Sequence, residues 1–241
     1  MKKIFLLAIA AITLFACNKN EGDADANLQI SGDVKGLSQG KLYLQRIQDS
    51  TLVIIDSITI NGDSKFESYV KLESPEMLYL FLDRGQTNSI DNSLPFFAEP
   101  GKIQIETTLK HFFADAKITG SKNHDLWKKF DSINSKFRDQ NLELMAKRLK
   151  NELKPNTTTT DSIEKAYKNL LTRKYRYTAH FATTNGNKEI APYLALSEIA
   201  NINITYLDTI QKSMTPEVSK SKYGKMLTKY IKDRKALIPQ Q

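Results

Sequence analysis

The chain has 241 residues, of which 40% are apolar and 26% charged, with a formal net charge of +8. Such a composition is globular and suffices for one large or two small domains. A single cysteine excludes an internal disulfide framework, a CxxC redox pair and a thiolate metal cluster.

In chain order, a targeting segment comes first. Met1-Lys2-Lys3 is a positive stretch, and Ile4 to Ala16 is apolar throughout except for Thr13. The run is too short to span a bilayer, which needs roughly 20 apolar residues, and it has the form of a signal-peptide h-region. It closes on Leu14-Phe15-Ala16-Cys17, which resembles the lipobox of bacterial lipoproteins. The resemblance implies that residues 1–16 are a lipoprotein signal peptide. Cys17 is then the lipidation site, carrying fatty acyl chains such as palmitate and becoming the mature N-terminus. Each buried acyl CH₂ contributes about 0.8 kcal/mol, so a multiply acylated cysteine is a durable anchor. The lipidated chain keeps no free thiol, which excludes cysteine nucleophiles and thiol–disulfide exchange. Residues 17–27 stay polar and acidic until Leu28 and are expected to form a disordered tether.

The remainder splits by charge. Residues 18–110 hold 9 Lys/Arg against 14 Asp/Glu, whereas residues 111–241 hold 24 against 13. The acidic part is strand-like. Lys41 to Gln45, Lys65 to Leu72 and Lys102 to Thr107 alternate polar with apolar residues. Leu52 to Ile60 and Met77 to Leu82 are apolar on both faces, as central strands are. Asn61-Gly62-Asp63 reads as a hairpin loop and Glu99-Pro100-Gly101 as a turn. Seven or eight short strands without an intervening helix indicate an antiparallel sandwich or barrel.

The basic part is helical. Ser121 is placed to cap a helix carrying Leu126, Phe130, Ile133 and Phe137, running to about Leu153 and stopped by Lys154-Pro155. Asn156 to Thr160 reads as a polar connector. A second helix carries Ile163, Tyr167, Leu170, Leu171, Tyr177 and Phe181 and is closed by Asn185-Gly186. Shorter helices are expected over Glu189 to Asn201 and Thr205 to Met214, and Pro216 opens the last. The predicted fold class is α+β: an antiparallel β-sandwich over residues 28–120, a small α-helical bundle over 121–236, and a tail at 237–241.

One ordered set of short motifs runs through the first part. It comprises Ile30-Ser31-Gly32, Gly40 to Leu44, Asp56-Ser57, Gly62 to Phe66, Pro95 to Gly101, and Ile118-Thr119-Gly120-Ser121. Together with the lipobox, this order resembles the N-terminal domain of unknown function of Bacteroidetes envelope lipoproteins. That domain usually precedes a thioredoxin-like domain of the peroxiredoxin or thiol:disulfide interchange type. The resemblance covers about residues 28–121, and Tyr206 to Lys235 is similar to the helical connector of those proteins. A thioredoxin-like domain with CxxC would begin near Leu237-Ile238-Pro239 and is absent from this sequence. The resemblance therefore transfers no catalytic residue.

Candidate chemistry is sparse. His111, His124 and His180 are the only imidazoles and have no histidine partner at metal-binding spacing; His124, near a helix start, reads as a surface or capping residue. HExxH, GxGxxG and Walker motifs are all missing. Arg173-Lys174-Tyr175-Arg176-Tyr177 interleaves bases with aromatics, but Tyr177 falls on the apolar stripe of its helix, so a nucleic-acid partner is not expected. The basic surface could meet anionic lipid headgroups or polysaccharide. Trp127 with Phe130, and the Phe96-Phe97 pair, read as core aromatics. No catalytic residue, metal site or cofactor is assigned.

Five triplets, Asp49-Ser50-Thr51, Asp56-Ser57-Ile58, Asp131-Ser132-Ile133, Asp161-Ser162-Ile163 and Asp208-Thr209-Ile210, share Asp-Ser/Thr followed by isoleucine or, in the first, threonine. This pattern resembles the O-glycosylation acceptor motif of Bacteroidetes envelope proteins and implies Ser50, Ser57, Ser132, Ser162 and Thr209 as acceptors. The function expected is that of a non-enzymatic lipoprotein of the cell envelope. It would be held at the outer membrane, on its periplasmic or surface face, by the lipid, and would bind or scaffold an envelope protein or polysaccharide. The alternatives are an accessory of thioredoxin-like envelope proteins and a glycan-directed hydrolase.

Overall fold

The structure is a computed structural model that describes residues 25–85 and 89–237. Eight strands precede six helices. They are β1 (Leu28–Lys35), β2 (Gln39–Gln48), β3 (Thr51–Asn61), β4 (Lys65–Val70), β5 (Glu76–Asp83), β6 (Ser93–Ala98), β7 (Gly101–Thr108) and β8 (Lys117–Thr119). The helices are α1 (Lys122–Leu153), α2 (Thr157–Thr184), α3 (Ile190–Glu198), α4 (Ile204–Ser213), α5 (Pro216–Lys220) and α6 (Lys222–Ala236). The class is mixed α+β.

The strands form two four-stranded sheets, ordered β4-β1-β7-β8 and β3-β2-β5-β6. Both contribute to one apolar core, in which Ile30, Phe66 and Ile105 from the first meet Leu44, Leu80 and Phe96 from the second. Five strand pairs are antiparallel, and β1–β7 is parallel, in register from Leu28↔Gly101 to Lys35↔Thr108. This corrects a wholly antiparallel arrangement. The chain visits the second sheet between β1 and β7, so β7 re-enters beside β1 at the end where β1 began. Asn27 fixes that end. Its N–H donates to Val70 O, its carbonyl accepts from Gly101 N–H, and its side chain makes two 2.8 Å bonds to the backbone of Leu72. Asn27, expected at the end of the tether, is thus built into the sheet.

β5 explains why Met77 to Leu82 is apolar on both faces. Successive side chains in a strand point to opposite faces. Leu78, Leu80 and Leu82 therefore enter the core between the sheets, while Met77 and Tyr79 meet the helices. Phe96 and Phe97 divide in the same way across β6, both fully buried. β3 differs from expectation. It lies at a sheet edge, with Leu52 54% and Ile54 55% exposed. Asn61-Gly62-Asp63 likewise does not close a hairpin, because β3 and β4 belong to different sheets.

Among the helices, Ser121 Oγ accepts from His124 N–H and caps α1, which ends at Leu153 before Lys154-Pro155. Asn156 to Thr160 is not a connector. Asn156 caps α2 by accepting from Thr159 N–H, and the threonines form its first turn. Pro216 opens the five-residue α5, and Ser221 caps the last helix. At 1.5 Å per residue α1 spans about 48 Å, and its far half carries an exposed apolar stripe of Leu142, Met145, Leu149 and Leu153. The proximal helices pack on the second sheet through Phe97, Phe130, Leu194 and Tyr223. No described helix is long and apolar enough to cross a membrane.

Candidate binding cleft

Two devices attach the helices to the outer face of β5 and β6. Glu76 is buried at the start of β5. Its carboxylate faces the Arg46 guanidinium at 3.3 Å and accepts a hydrogen bond from the Lys222 ammonium of α6. Tyr223 Oη accepts the Met77 N–H at 3.0 Å, and burial holds its phenol well above the usual tyrosine range. Its ring meets Tyr193 and Phe97 edge-on, with centroids 5.1 and 6.0 Å apart.

The second device positions the start of α1. The Glu99 carboxylate accepts from the N–H groups of Lys122 (2.8 Å) and Asn123 (3.2 Å), donors that have no partner within the helix. The Asn123 side-chain amide donates to both Glu99 and Glu189, and its oxygen accepts from Ile190 N–H. The N-termini of α1 and α3 are thereby tied to the end of β6. Gly120, at φ 99°, leads into the helix, and a side chain there would strike the Lys102 carbonyl of β7.

This placement opens a cleft of about 550 Å³ along the first turns of α1, within the ~300–1,000 Å³ usual for small-molecule sites. One wall is His124, Asp125, Trp127, Lys128 and Asp131; the other includes Pro95 of β6, Phe113 and Lys117. The segment bearing Phe113 is braced. Phe112 is fully buried, and its carbonyl accepts from Thr107 Oγ1 at 2.7 Å. Phe113 N–H donates to Asp91, which is ion-paired with Arg84, and Arg84 in turn donates to Leu109 O. Phe113 remains 47% exposed at the mouth.

His124 forms the back of the cleft and corrects the surface reading of that residue. It is only 3% exposed, and its Nδ1 accepts the Phe97 N–H at 3.4 Å. Burial, assisted by the Lys128 charge and opposed by Asp125, lowers its pKa to about 4. The ring is therefore neutral near pH 7 with its proton on Nε2. That Nε2–H has no partner among the described residues. The Trp127 ring lies beside it, centroids 5.5 Å apart. Trp127 touches the core cluster, as its periodicity implied, but it also lines the cleft. Such a histidine donates a hydrogen bond; its pKa is far from that of a general base poised near neutrality.

The other residues singled out from the sequence do not converge on this cleft. His180 is exposed on α2, and His111 pairs locally with Asp115 at 3.5 Å. Tyr177 stacks on Phe130, and Arg173 lies over the Phe137 ring. Ser50, Ser57, Ser132, Ser162 and Thr209 are all exposed and lie apart, in the β2–β3 turn, β3, α1, α2 and α4. The Ser132 and Thr209 hydroxyls donate to backbone carbonyls of their own helices. Cys17 and the expected signal peptide, residues 1–16, lie outside the described residues. Among the described residues no three His, Cys, Asp or Glu side chains converge as metal ligands.

Residues 28–127 match the protein family described as a domain of unknown function, DUF4369. The matched span takes in all eight strands and the first turns of α1, ending on Trp127. No curated protein matches the chain.

Proposed function

We propose that this protein is a lipid-anchored lipoprotein of the cell envelope and acts there as a non-catalytic binding module. The observation that carries the anchor is the run Met1 to Cys17: basic start, short apolar segment, and Leu-Phe-Ala-Cys at its close. The braced, aromatic-walled cleft at the start of α1 supports the binding role. In this reading residues 28–120 are a β-sandwich, antiparallel except for β1–β7, and residues 121–236 a helical bundle packed on it. Residues 17–26 tether the pair to the outer membrane. The partner is an envelope protein or polysaccharide. The exposure of Ser50, Ser57, Ser132, Ser162 and Thr209 is compatible with glycans at these positions, which would be bulky and outward-facing.

The test of the anchor is Cys17→Ala. The substitution should abolish metabolic labelling with a fatty acid and either release the protein from the membrane fraction or leave it unprocessed. Labelling equal to that of the unaltered protein refutes the anchor. Co-purification from crosslinked cells with a thioredoxin-fold lipoprotein would favour the accessory role instead.

A further inference from the structure

The cleft carries enough chemistry to specify a class of ligand. Its floor presents one neutral donor, the His124 Nε2–H, on a buried ring whose other nitrogen accepts the Phe97 N–H. Its sides present two aromatic faces, the half-buried Trp127 and the exposed Phe113. Its rim presents two carboxylates, Asp125 and Asp131, and two ammonium groups, Lys117 and Lys128. One of these four is already engaged, since Asp131 pairs with Arg138 at 2.8 Å.

Each feature narrows the choice. With Asp131 taken up by Arg138, the rim still sets the Asp125 carboxylate beside Lys117 and Lys128, so a strongly charged ligand of either sign would meet a like charge. An acyl chain would find four charged side chains around an apolar slot and would leave the His124 donor unsatisfied, which is costly for a buried polar group. A peptide that binds by strand addition would need a sheet edge to add to. The two strands that reach the cleft do not offer one: β8 has three residues, and β6 carries Pro95, which has no N–H to donate. These features together suit a small, neutral ring with an apolar face and a hydroxyl-bearing edge. Its C–H face would lie against an aromatic ring, whose face is electron-rich. Its hydroxyls would accept from His124 and Lys128 and donate to Asp125.

We propose that the cleft between α1 and the Phe113 segment binds a neutral pyranose unit of an oligosaccharide, held between Trp127 and Phe113 and hydrogen-bonded by His124 Nε2–H. The proposal rests on the binding-module reading and names its ligand.

The chain contains a single tryptophan, so tryptophan emission reports on this cleft alone. The experiment uses full-length protein in a detergent without a sugar headgroup. It is titrated with neutral hexose and N-acetylhexosamine oligomers, with uronic-acid oligomers, and with a mixed peptide library. The expected result is a saturable change in emission with at least one neutral oligosaccharide. Its Kd should rise at least tenfold in Phe113→Ala and in His124→Asn and stay unchanged in Leu142→Ser on the far half of α1. Asn retains an acceptor near the Nδ1 position, and Phe113 is exposed enough that its truncation should not unfold the chain. Circular dichroism checks both variants. No saturable response to any neutral sugar overturns the proposal, as does a response that both variants retain or one confined to uronic-acid oligomers. A peptide response sensitive to the same two variants overturns the saccharide and leaves the binding-module reading standing.

Discussion

His124 gives the fold a pH dependence whose size follows from its surroundings. Burial beside Trp127 and the nearby Lys128 charge lower the imidazole pKa from 6.5 to about 4. The folded value lies below the unfolded one, so the fold favours the neutral ring. The corresponding stability is fully present above pH 6.5 and is lost as the pH falls toward 4. Across that window the unfolded chain carries one more proton at this site, giving a slope of about 1.4 kcal/mol per pH unit. The loss reaches about 3 kcal/mol by pH 4. Other groups titrate over the same range, so the measurement is a difference. Urea unfolding of the unaltered protein and of His124→Asn would be followed by circular dichroism at pH 7.5, 5.5 and 4. The unaltered protein's stability relative to the variant should fall by about 3 kcal/mol between the first and last conditions. A difference that does not change with pH would falsify the buried, neutral imidazole, and with it the donor at the back of the cleft.

Two further substitutions test the attachment of the helices. Tyr223→Phe deletes the acceptor of the buried Met77 N–H while keeping the ring against Phe97 and Tyr193. It should lower stability by about 1–3 kcal/mol in chemical denaturation, and an unchanged midpoint would mean that this bond contributes nothing. Thr178→Val should act in the opposite direction. The Thr178 hydroxyl is fully buried in α2 and has no hydrogen-bond partner among the described residues, and valine has nearly its shape and helix propensity. A gain of about 1 kcal/mol, seen as a raised Tm, is expected, whereas a loss would show that the hydroxyl has a favourable contact.

How much was legible in the sequence depends on how far each signal reaches. α1 could be read from its cap to its stop because Ser121 Oγ, Lys154 and Pro155 act within a turn of the residues they affect. The start of α2 misled because threonine disfavours helix interiors, whereas Asn156 supplies a cap and Thr160 Oγ1 returns a bond to the Asn156 carbonyl. The parallel β1–β7 pair was hidden because its partners are about seventy residues apart, and no local pattern states strand direction. β3 was read as central from its apolar residues, yet those at Leu52 and Ile54 face solvent at an edge. The cleft was the least legible part. Periodicity placed Trp127 on the apolar stripe and could not show Phe113 arriving opposite it. His124 gave no sign of burial because its partner, the Phe97 N–H, lies 27 residues away. Glu99 and Glu189 position the whole arrangement through Asn123, a residue 24 positions from one and 66 from the other, which no local pattern could show.

The account stands on one claim: an envelope-anchored protein engages its ligand through the cleft at the start of α1. A photocrosslinking amino acid placed at Phe113, expressed in intact cells of the native host, tests it most directly, with the same group at Leu142 on the far half of α1 as the comparison. The account predicts light-dependent adducts from position 113 that shorten on glycoside-hydrolase treatment, with none of that kind from position 142. Adducts from position 142 alone, or none from either, would contradict it.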